Sequence, residues 1–148
     1  MENQIERTIY LNAPTERVWV ALTDHEEFGS WFRLSLHGPF KVGEVTFGEV
    51  TYPGHEGLPV WARVKGMDAP RCFSFVWPMD APIQPDDPSI DDKVTLVEFF
   101  LEPSGKGSRL TVRESGFARL PEGKRSQVFR DNEGGWNAQV NNIKDFVE

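Results

Sequence analysis

The stretch from residue 5 to residue 32 reads IERTIYLNAPTERVWVALTDHEEFGSWF, and its hydrophobic period changes part-way along. Ile5 and Leu11 fall on one side of an alternating segment, which indicates a strand. Pro14 then occupies a position that the first turn of a helix tolerates well. Two short stretches with helical spacing of apolar residues follow. The chain therefore opens as a strand followed by two short helices.

Alternation with a period of two dominates the next part of the chain. Turn residues, such as Pro53 and Gly54, separate the alternating segments, so hairpin-linked strands are predicted. The segments are residues 34–40, 44–52, 60–67, 71–77, 94–101 and 108–114. Residues 78–92, called the insert below, hold four prolines and five aspartates. Such a composition excludes a central strand or a helix, so the insert is predicted to be an exposed loop.

Helical spacing returns from about residue 122 to residue 147. An apolar stripe, which includes Trp136 and Ile143, is interrupted by polar residues and then by Gly134 and Gly135. Each glycine inside a helix costs about 1 kcal/mol relative to alanine. The sequence therefore predicts that the sheet approaches the helix closely at these glycines, or that the helix is kinked there.

The order of elements predicts an α+β domain of the helix-grip type that covers residues 1–148. A curved antiparallel sheet of six or seven strands would wrap around the long C-terminal helix. One helix covers such a sheet only partly, so a cavity of small-molecule size is expected between them.

Composition narrows the classes of partner. The formal net charge is −7, whereas nucleic acids and anionic membranes attract basic surfaces, so neither kind of partner is expected. No window is apolar enough for membrane insertion, and the N-terminus lacks the apolar core of a signal peptide. Cys72 is the only cysteine, which suits a reducing compartment. A soluble cytoplasmic protein is expected.

Several motifs, taken in order, resemble one superfamily. They are Ala13-Pro14, Glu16, Val18-Trp19, Ala21 to Asp24, Trp31-Phe32, Pro70-Arg71, residues 73–77, 94–97, 101–103 and 108–112, Ser115 to Phe117, and Gly135-Trp136. This set resembles the SRPBCC (START-like) superfamily, and within it the AHSA-type branch named after the C-terminal domain of the heat-shock-protein-90 ATPase activator. The resemblance implies a helix-grip cavity for hydrophobic ligands. Residues 42–45 and the insert depart from the pattern of the branch.

Catalytic and metal-binding signatures are missing from the sequence. His25, His37 and His55 do not pair at metal-ligand spacing, so neither a metal nor another cofactor is expected. No partner is evident that would make Cys72 a thiolate nucleophile, and a small buried residue is the better interpretation.

One polar set stands out, and it comprises Arg113, Glu114, Asn132 and Glu133. If these residues meet inside the cavity, they would orient a ligand or serve acid–base chemistry. A structural ion pair is the alternative. The complete set of cavity candidates is mostly aromatic: Trp31, His37, Phe47, Trp61, Phe75, Trp77, Phe99, Arg113, Phe117, Phe129, Asn132, Glu133 and Trp136.

Three functions fit this sequence. The first is binding of a small hydrophobic or aromatic molecule. The second is an enzyme of the cyclase or hydrolase kind that uses the same cavity, with Glu133 or Arg113 as the polar participant. The third is a protein-interaction domain, with a chaperone as partner. An aromatic-lined pocket without titratable groups would favour the first, a desolvated carboxylate in the pocket the second, and an exposed apolar patch the third. Oligomeric state is left open.

Overall fold

A computed structural model describes residues 3–80 and 83–148. The elements follow in the order β1 (Gln4–Leu11), α1 (Thr15–Thr23), α2 (His25–Phe32), β2 (Leu34–Leu36), β3 (Val45–Val50), β4 (Pro59–Asp68), β5 (Cys72–Pro78), β6 (Val94–Ser104), β7 (Gly107–Ser115) and α3 (Glu122–Val147). Single 3₁₀ turns occur at Ile90–Asp92 and Phe117–Arg119. Asp24 separates the two short helices, and its carboxylate accepts hydrogen bonds from the backbone N–H groups of Glu26 and Glu27 in the first turn of α2.

The seven strands form one antiparallel sheet in the order β1-β7-β6-β5-β4-β3-β2. This arrangement, with two short helices after β1 and a long C-terminal helix, confirms the predicted α+β helix-grip fold. The strand predicted at residues 34–40 is only three residues long, because its ladder with β3 ends where Leu36 pairs with Gly48.

The sheet has an inner face, which packs against α3, and an outer face. Phe75 pairs with Val97 across β5 and β6, and Val97 pairs with Glu114 of β7, so all three point to the inner face. Because side chains alternate along a strand, Val76 and Leu96 point to the outer face. The buried core lies on the inner face and joins the sheet to all three helices.

The glycine pair in α3 does not behave as predicted. The helix is continuous through Gly134 and Gly135, and a Cβ atom at either position would meet no heavy atom within 4 Å. The predicted close approach of the sheet is therefore wrong. Both glycines lie on an exposed part of the helix surface.

The insert lies against the outer face of the sheet. The indole N–H of Trp61 donates to the carbonyl of Ile83 at 2.8 Å, and Lys93 forms an ion pair with Asp87 at 2.8 Å. Trp61 points outward from β4, yet it is only 6% exposed because the insert covers it. Apart from Pro78, which ends β5, the described part of the insert is loop and one 3₁₀ turn, in accord with the predicted loop.

Across the two described ranges, no helix is both long and apolar enough to cross a membrane.

Candidate functional site

A cavity of about 150 Å³, called the inner pocket below, lies between α2 and the inner face of β2 to β5. Its lining shares one property, which is that every side chain is apolar or aromatic. The lining residues are Phe28, Phe32, Leu34, Leu36, Phe40, Val50, Val60, Trp61, Ala62, Phe75 and Trp77. The indoles of Trp61 and Trp77 donate to Ile83 and Glu114, so the lining side chains offer a ligand dispersion contacts and no free hydrogen-bonding group.

Ring contacts hold one wall of the inner pocket. Phe28 and Phe32 of α2 stack at 5.0 Å, and Phe32 meets Trp77 of β5 edge-on at 5.8 Å. Trp77 in turn contacts Phe75 at 5.5 Å. Pairs of this geometry add about 0.5–1.5 kcal/mol each beyond the burial of their area. The aromatic wall therefore has a defined shape in the absence of a ligand.

Behind Trp77 lies the carboxylate of Glu114, which is completely buried. Its Oε2 accepts hydrogen bonds from the Trp77 indole at 2.8 Å and from the hydroxyl of Thr95. Its Oε1 accepts from the Trp136 indole at 2.9 Å, and the side-chain amide of Asn132 donates to both oxygens at 2.9 and 3.1 Å. Four side chains from three elements thus converge on one acid.

All of these neighbours donate to Glu114, which is the pattern that an ionised carboxylate accepts. Among the described residues, no lysine or arginine forms an ion pair with it. An unpaired buried charge is expensive, and here hydrogen bonds from polar side chains provide the compensation. Glu114 does not line the inner pocket, but it fixes the indole of Trp77, which does.

The structure separates the polar set that the sequence singled out. It brings Asn132 to Glu114 and directs Arg113 and Glu133 elsewhere. Arg113 lies on the outer face, where it pairs with Glu6 at 3.0 Å and lies over the ring of Phe100. Glu133 is 43% exposed and pairs with Arg7 at 3.4 Å.

Three of the predicted aromatic residues, Trp61, Phe75 and Trp77, line the inner pocket. Phe99 and Trp136 lie in the core next to them and contact each other at 5.8 Å. Trp31 is also buried, and its indole donates to the carbonyl of Ala21 at 2.8 Å. Phe28 and Phe32 connect Trp31 to Phe75, Trp77, Phe99 and Trp136 in one aromatic cluster, of which only part faces the pocket.

The remaining predicted residues lie elsewhere. His37 and Phe47 line a separate depression on the outer face with Trp61, and His37 makes a hydrogen bond to Glu49. Trp61 also borders the inner pocket. Phe117 and Phe129 pack edge-on at 5.0 Å beneath the N-terminal part of α3, outside the lining of the inner pocket.

Sequence reasoning missed several pocket residues. Phe28, Phe32 and Ala62 were assigned to no site, and Thr95 was not recognised as a partner of Glu114. The alternation of side chains along β7 contains a signal for the buried acid, because Glu114 lies on the same face of the strand as the apolar Val112. An acid at an inward position of a strand indicates a buried polar centre.

Titratable groups outside this cluster offer little chemistry. Burial raises the pKa of the Cys72 thiol, and the nearby carboxylates of Glu98 and Asp68 add to the effect, so the thiolate is disfavoured. No three His, Cys, Asp or Glu residues within the described ranges cluster in a way that would hold a metal ion.

Comparison with known proteins places the chain in a family. Residues 12–148 match the family described as Activator of Hsp90 ATPase homolog 1-like protein. The chain belongs to this family. A comparison with curated proteins found no match.

Several solved structures have the same fold as this member of the family. A protein from Arthrobacter aurescens is 19% identical, with a TM-score of 0.78 over 97% of this chain and 85% of the other. The Aha1 dimer of Colwellia psychrerythraea is 16% identical, with a TM-score of 0.73 over 99% and 97%. DynU16, from the dynemicin biosynthetic locus, is 21% identical, with a TM-score of 0.73, and this chain spans 48% of its length. At these identities the likeness shows the fold alone.

Proposed function

We propose that this member of the family binds a small apolar molecule, about the size of a single aromatic ring, in the inner pocket. One observation carries the proposal, which is an apolar-lined cavity of about 150 Å³ between α2 and the sheet. An engineered cavity of about 150 Å³ lined by Leu, Ile and Phe binds benzene in another protein. Burial of a ring against such a wall gains dispersion energy.

The volume and the lining define the ligand class. Sites for drug-sized molecules span about 300–1,000 Å³, so a whole lipid or sterol is too large for this pocket. A charged or strongly polar group would lose its hydration and find no side-chain partner there. The ligand is therefore a small aromatic or branched hydrocarbon-like compound, or the apolar end of a longer one.

Catalysis has less support than binding. The carboxylate of Glu114, behind Trp77, already accepts hydrogen bonds from four side chains. A general acid or base must reach the reacting atoms within hydrogen-bond distance, and this carboxylate does not line the pocket. The location of DynU16 in a biosynthetic locus alone does not transfer an activity to this chain.

The test is to titrate the protein with toluene and with phenol. Binding is monitored by ¹⁵N NMR and by thermal unfolding. We expect toluene to raise the unfolding temperature and to shift amides around Ala62 and Phe32. Phenol should bind more weakly, because its hydroxyl would be buried without a side-chain partner. Equal binding of the two compounds, or shifts away from the pocket, would contradict the proposal.

A matched pair of variants localises the binding. Ala62→Leu adds volume inside the inner pocket and should abolish toluene binding. Ala138→Leu makes the same change on the exposed surface of α3 and should leave binding intact. Native mass spectrometry of the protein purified gently from its own host would then identify a resident ligand as an added mass that denaturant removes.

Protein interaction is the second candidate, and exposed apolar side chains favour it. Phe47, Tyr52 and Leu58, on β3 and its hairpin with β4, are 46%, 54% and 47% exposed. The Colwellia relative is a dimer, so self-association is the interaction to test first. Sedimentation equilibrium should show a dimer that Phe47→Ser with Leu58→Ser dissociates. A monomer across the accessible concentration range would reject self-association.

A further inference from the structure

Another cavity, called the outer groove below and distinct from the depression at His37 and Phe47, lies on the outer face of the sheet and has a volume of about 480 Å³. Trp61, Val76 and Leu96 form an apolar floor across β4, β5 and β6. Ile90, from the 3₁₀ turn of the insert, forms one wall, and the 3₁₀ turn that carries Arg119 forms another. The insert thus turns a sheet face that would otherwise be open into a walled groove.

Three basic side chains surround this apolar floor. Arg63 and Lys65 project from β4, and Arg119 lies over Gly116, where even a Cβ atom would come within 2.7 Å of its guanidinium. Asp91 is the only acid among the residues that the structure places around the groove. The groove is therefore positive within a chain of net charge −7.

These three cations differ from most others in the chain. Within residues 3–80 and 83–148, none of them takes part in an ion pair or a side-chain hydrogen bond, whereas Arg71 pairs with Asp68 and Lys93 pairs with Asp87. Keeping like charges close together without an ion-pair partner is unfavourable. A guanidinium with its donors unused is suited to recognition of a carboxylate, which it can bind with two parallel hydrogen bonds.

We propose that the outer groove binds a small molecule that carries a carboxylate on an apolar body of about two rings. The apolar floor contacts the body, and Arg63 and Arg119 bind the carboxylate, with Lys65 adding positive potential. The volume lies in the range of drug-sized ligands. A protein partner would need about 800 Å² of accessible surface, whereas two walls confine this site. The proposal does not depend on ligand binding in the inner pocket.

The experiment compares biphenyl-4-carboxylate with biphenyl-4-carboxamide, which share their shape but not their charge. We expect the carboxylate to bind at least about tenfold more tightly, because hydrogen bonds between charged groups contribute more than neutral ones. Amide shifts in ¹⁵N NMR should centre on Arg63, Val76 and Leu96 and spare Phe32. Equal affinity of the two compounds, or shifts centred on the inner pocket, would overturn the proposal.

Substitutions identify the residues involved. Arg63→Gln combined with Arg119→Gln should weaken binding of the carboxylate about tenfold or more and leave the carboxamide unaffected. Arg71→Gln removes one positive charge at an exposed turn outside the groove, as Arg119→Gln alone does within it, and should have no effect. The single variant Arg119→Gln changes an exposed side chain, so it tests the site even if the double variant unfolds. The assignment is rejected if Arg119→Gln or the double variant binds biphenyl-4-carboxylate as tightly as Arg71→Gln does. It is also rejected if the protein binds an acidic peptide but not the carboxylate.

Discussion

The indole rings of Trp77 and Trp136 stack with their centroids 5.8 Å apart and 24° between their planes. Each donates its N–H to a different oxygen of Glu114. Trp77 lines the inner pocket, whereas Trp136 belongs to α3, so the acid joins the wall of the pocket to the long helix. This relationship gives the buried charge a structural role, because it fixes the orientation of both rings.

Replacing Glu114 by Gln should destabilise the protein by about 1–3 kcal/mol, because the new amide adds donors among existing donors and leaves one of them unsatisfied. Urea unfolding measures the loss, and the near-ultraviolet circular dichroism of the indoles should change with it. Glu133→Gln, which alters only an exposed ion pair, should cost less than about 1 kcal/mol. Equal effects of the two substitutions would show that the hydrogen bonds to Glu114 contribute little.

Trp136→Ala should destabilise the protein by about 3–5 kcal/mol, because the side chain is only 3% exposed and its removal leaves a large cavity. The urea midpoint at an unchanged slope measures this change. Trp19→Ala, at a partly exposed position on α1, should cost less, about 1–2 kcal/mol. A near-neutral result for Trp136 would indicate that this ring lines an open pocket or the surface.

Gly134→Ala and Gly135→Ala should each stabilise the protein by up to about 1 kcal/mol, since a methyl group there meets open space within a continuous helix. Thermal unfolding provides the measurement. Gly48→Ala should destabilise the protein, because its Cβ would lie 2.3 Å from the carbonyl oxygen of Ser35. A loss of stability at Gly134 would mean that α3 bends there in solution.

Asp87 should make the attachment of the insert sensitive to acid. A hydrogen bond from Lys93, followed by those from the backbone and hydroxyl of Ser89, lowers the pKa of Asp87 from 3.8 to about 2. Because the folded value is the lower one, the stabilisation is fully present above pH 3.8 and is lost as pH falls towards 2. A carboxyl NMR titration of Asp87 and the indole N–H resonance of Trp61 should both report this step.

Asp87→Asn should remove the acid step and broaden or shift the Trp61 indole resonance at neutral pH, because the insert loses its ion pair. Asp86→Asn, at the exposed neighbouring position, is the control and should leave the resonance unchanged. If Trp61 responds equally to both substitutions, the ion pair does not hold the insert.

The fold was predictable because period and order are properties of the sequence itself. Alternating strands and a long terminal helix sufficed for the sheet and for α3, and the largest difference in strand length is at β2, which ends at Leu36 shortly before Gly38 and Pro39. The residues of the site were harder to predict from the sequence. Trp61 and Phe75 both occur in alternating strands, but only the register shows that one points outward and the other inward. The covering of Trp61 depends on where the insert lies, which its composition does not encode.

Strand β4 separates the inner pocket from the outer groove by the thickness of a single strand. Val60 and Ala62 face the inner pocket, and Arg63 and Lys65 face the outer groove, so alternate residues of one segment line two compartments of opposite character. A one-residue slip of this strand would bring charge into the apolar inner pocket and aliphatic side chains into the basic outer groove. The linings of the inner pocket and the outer groove therefore depend on the same alternation of side chains along β4. A one-residue insertion or deletion in the strand would change both linings at once.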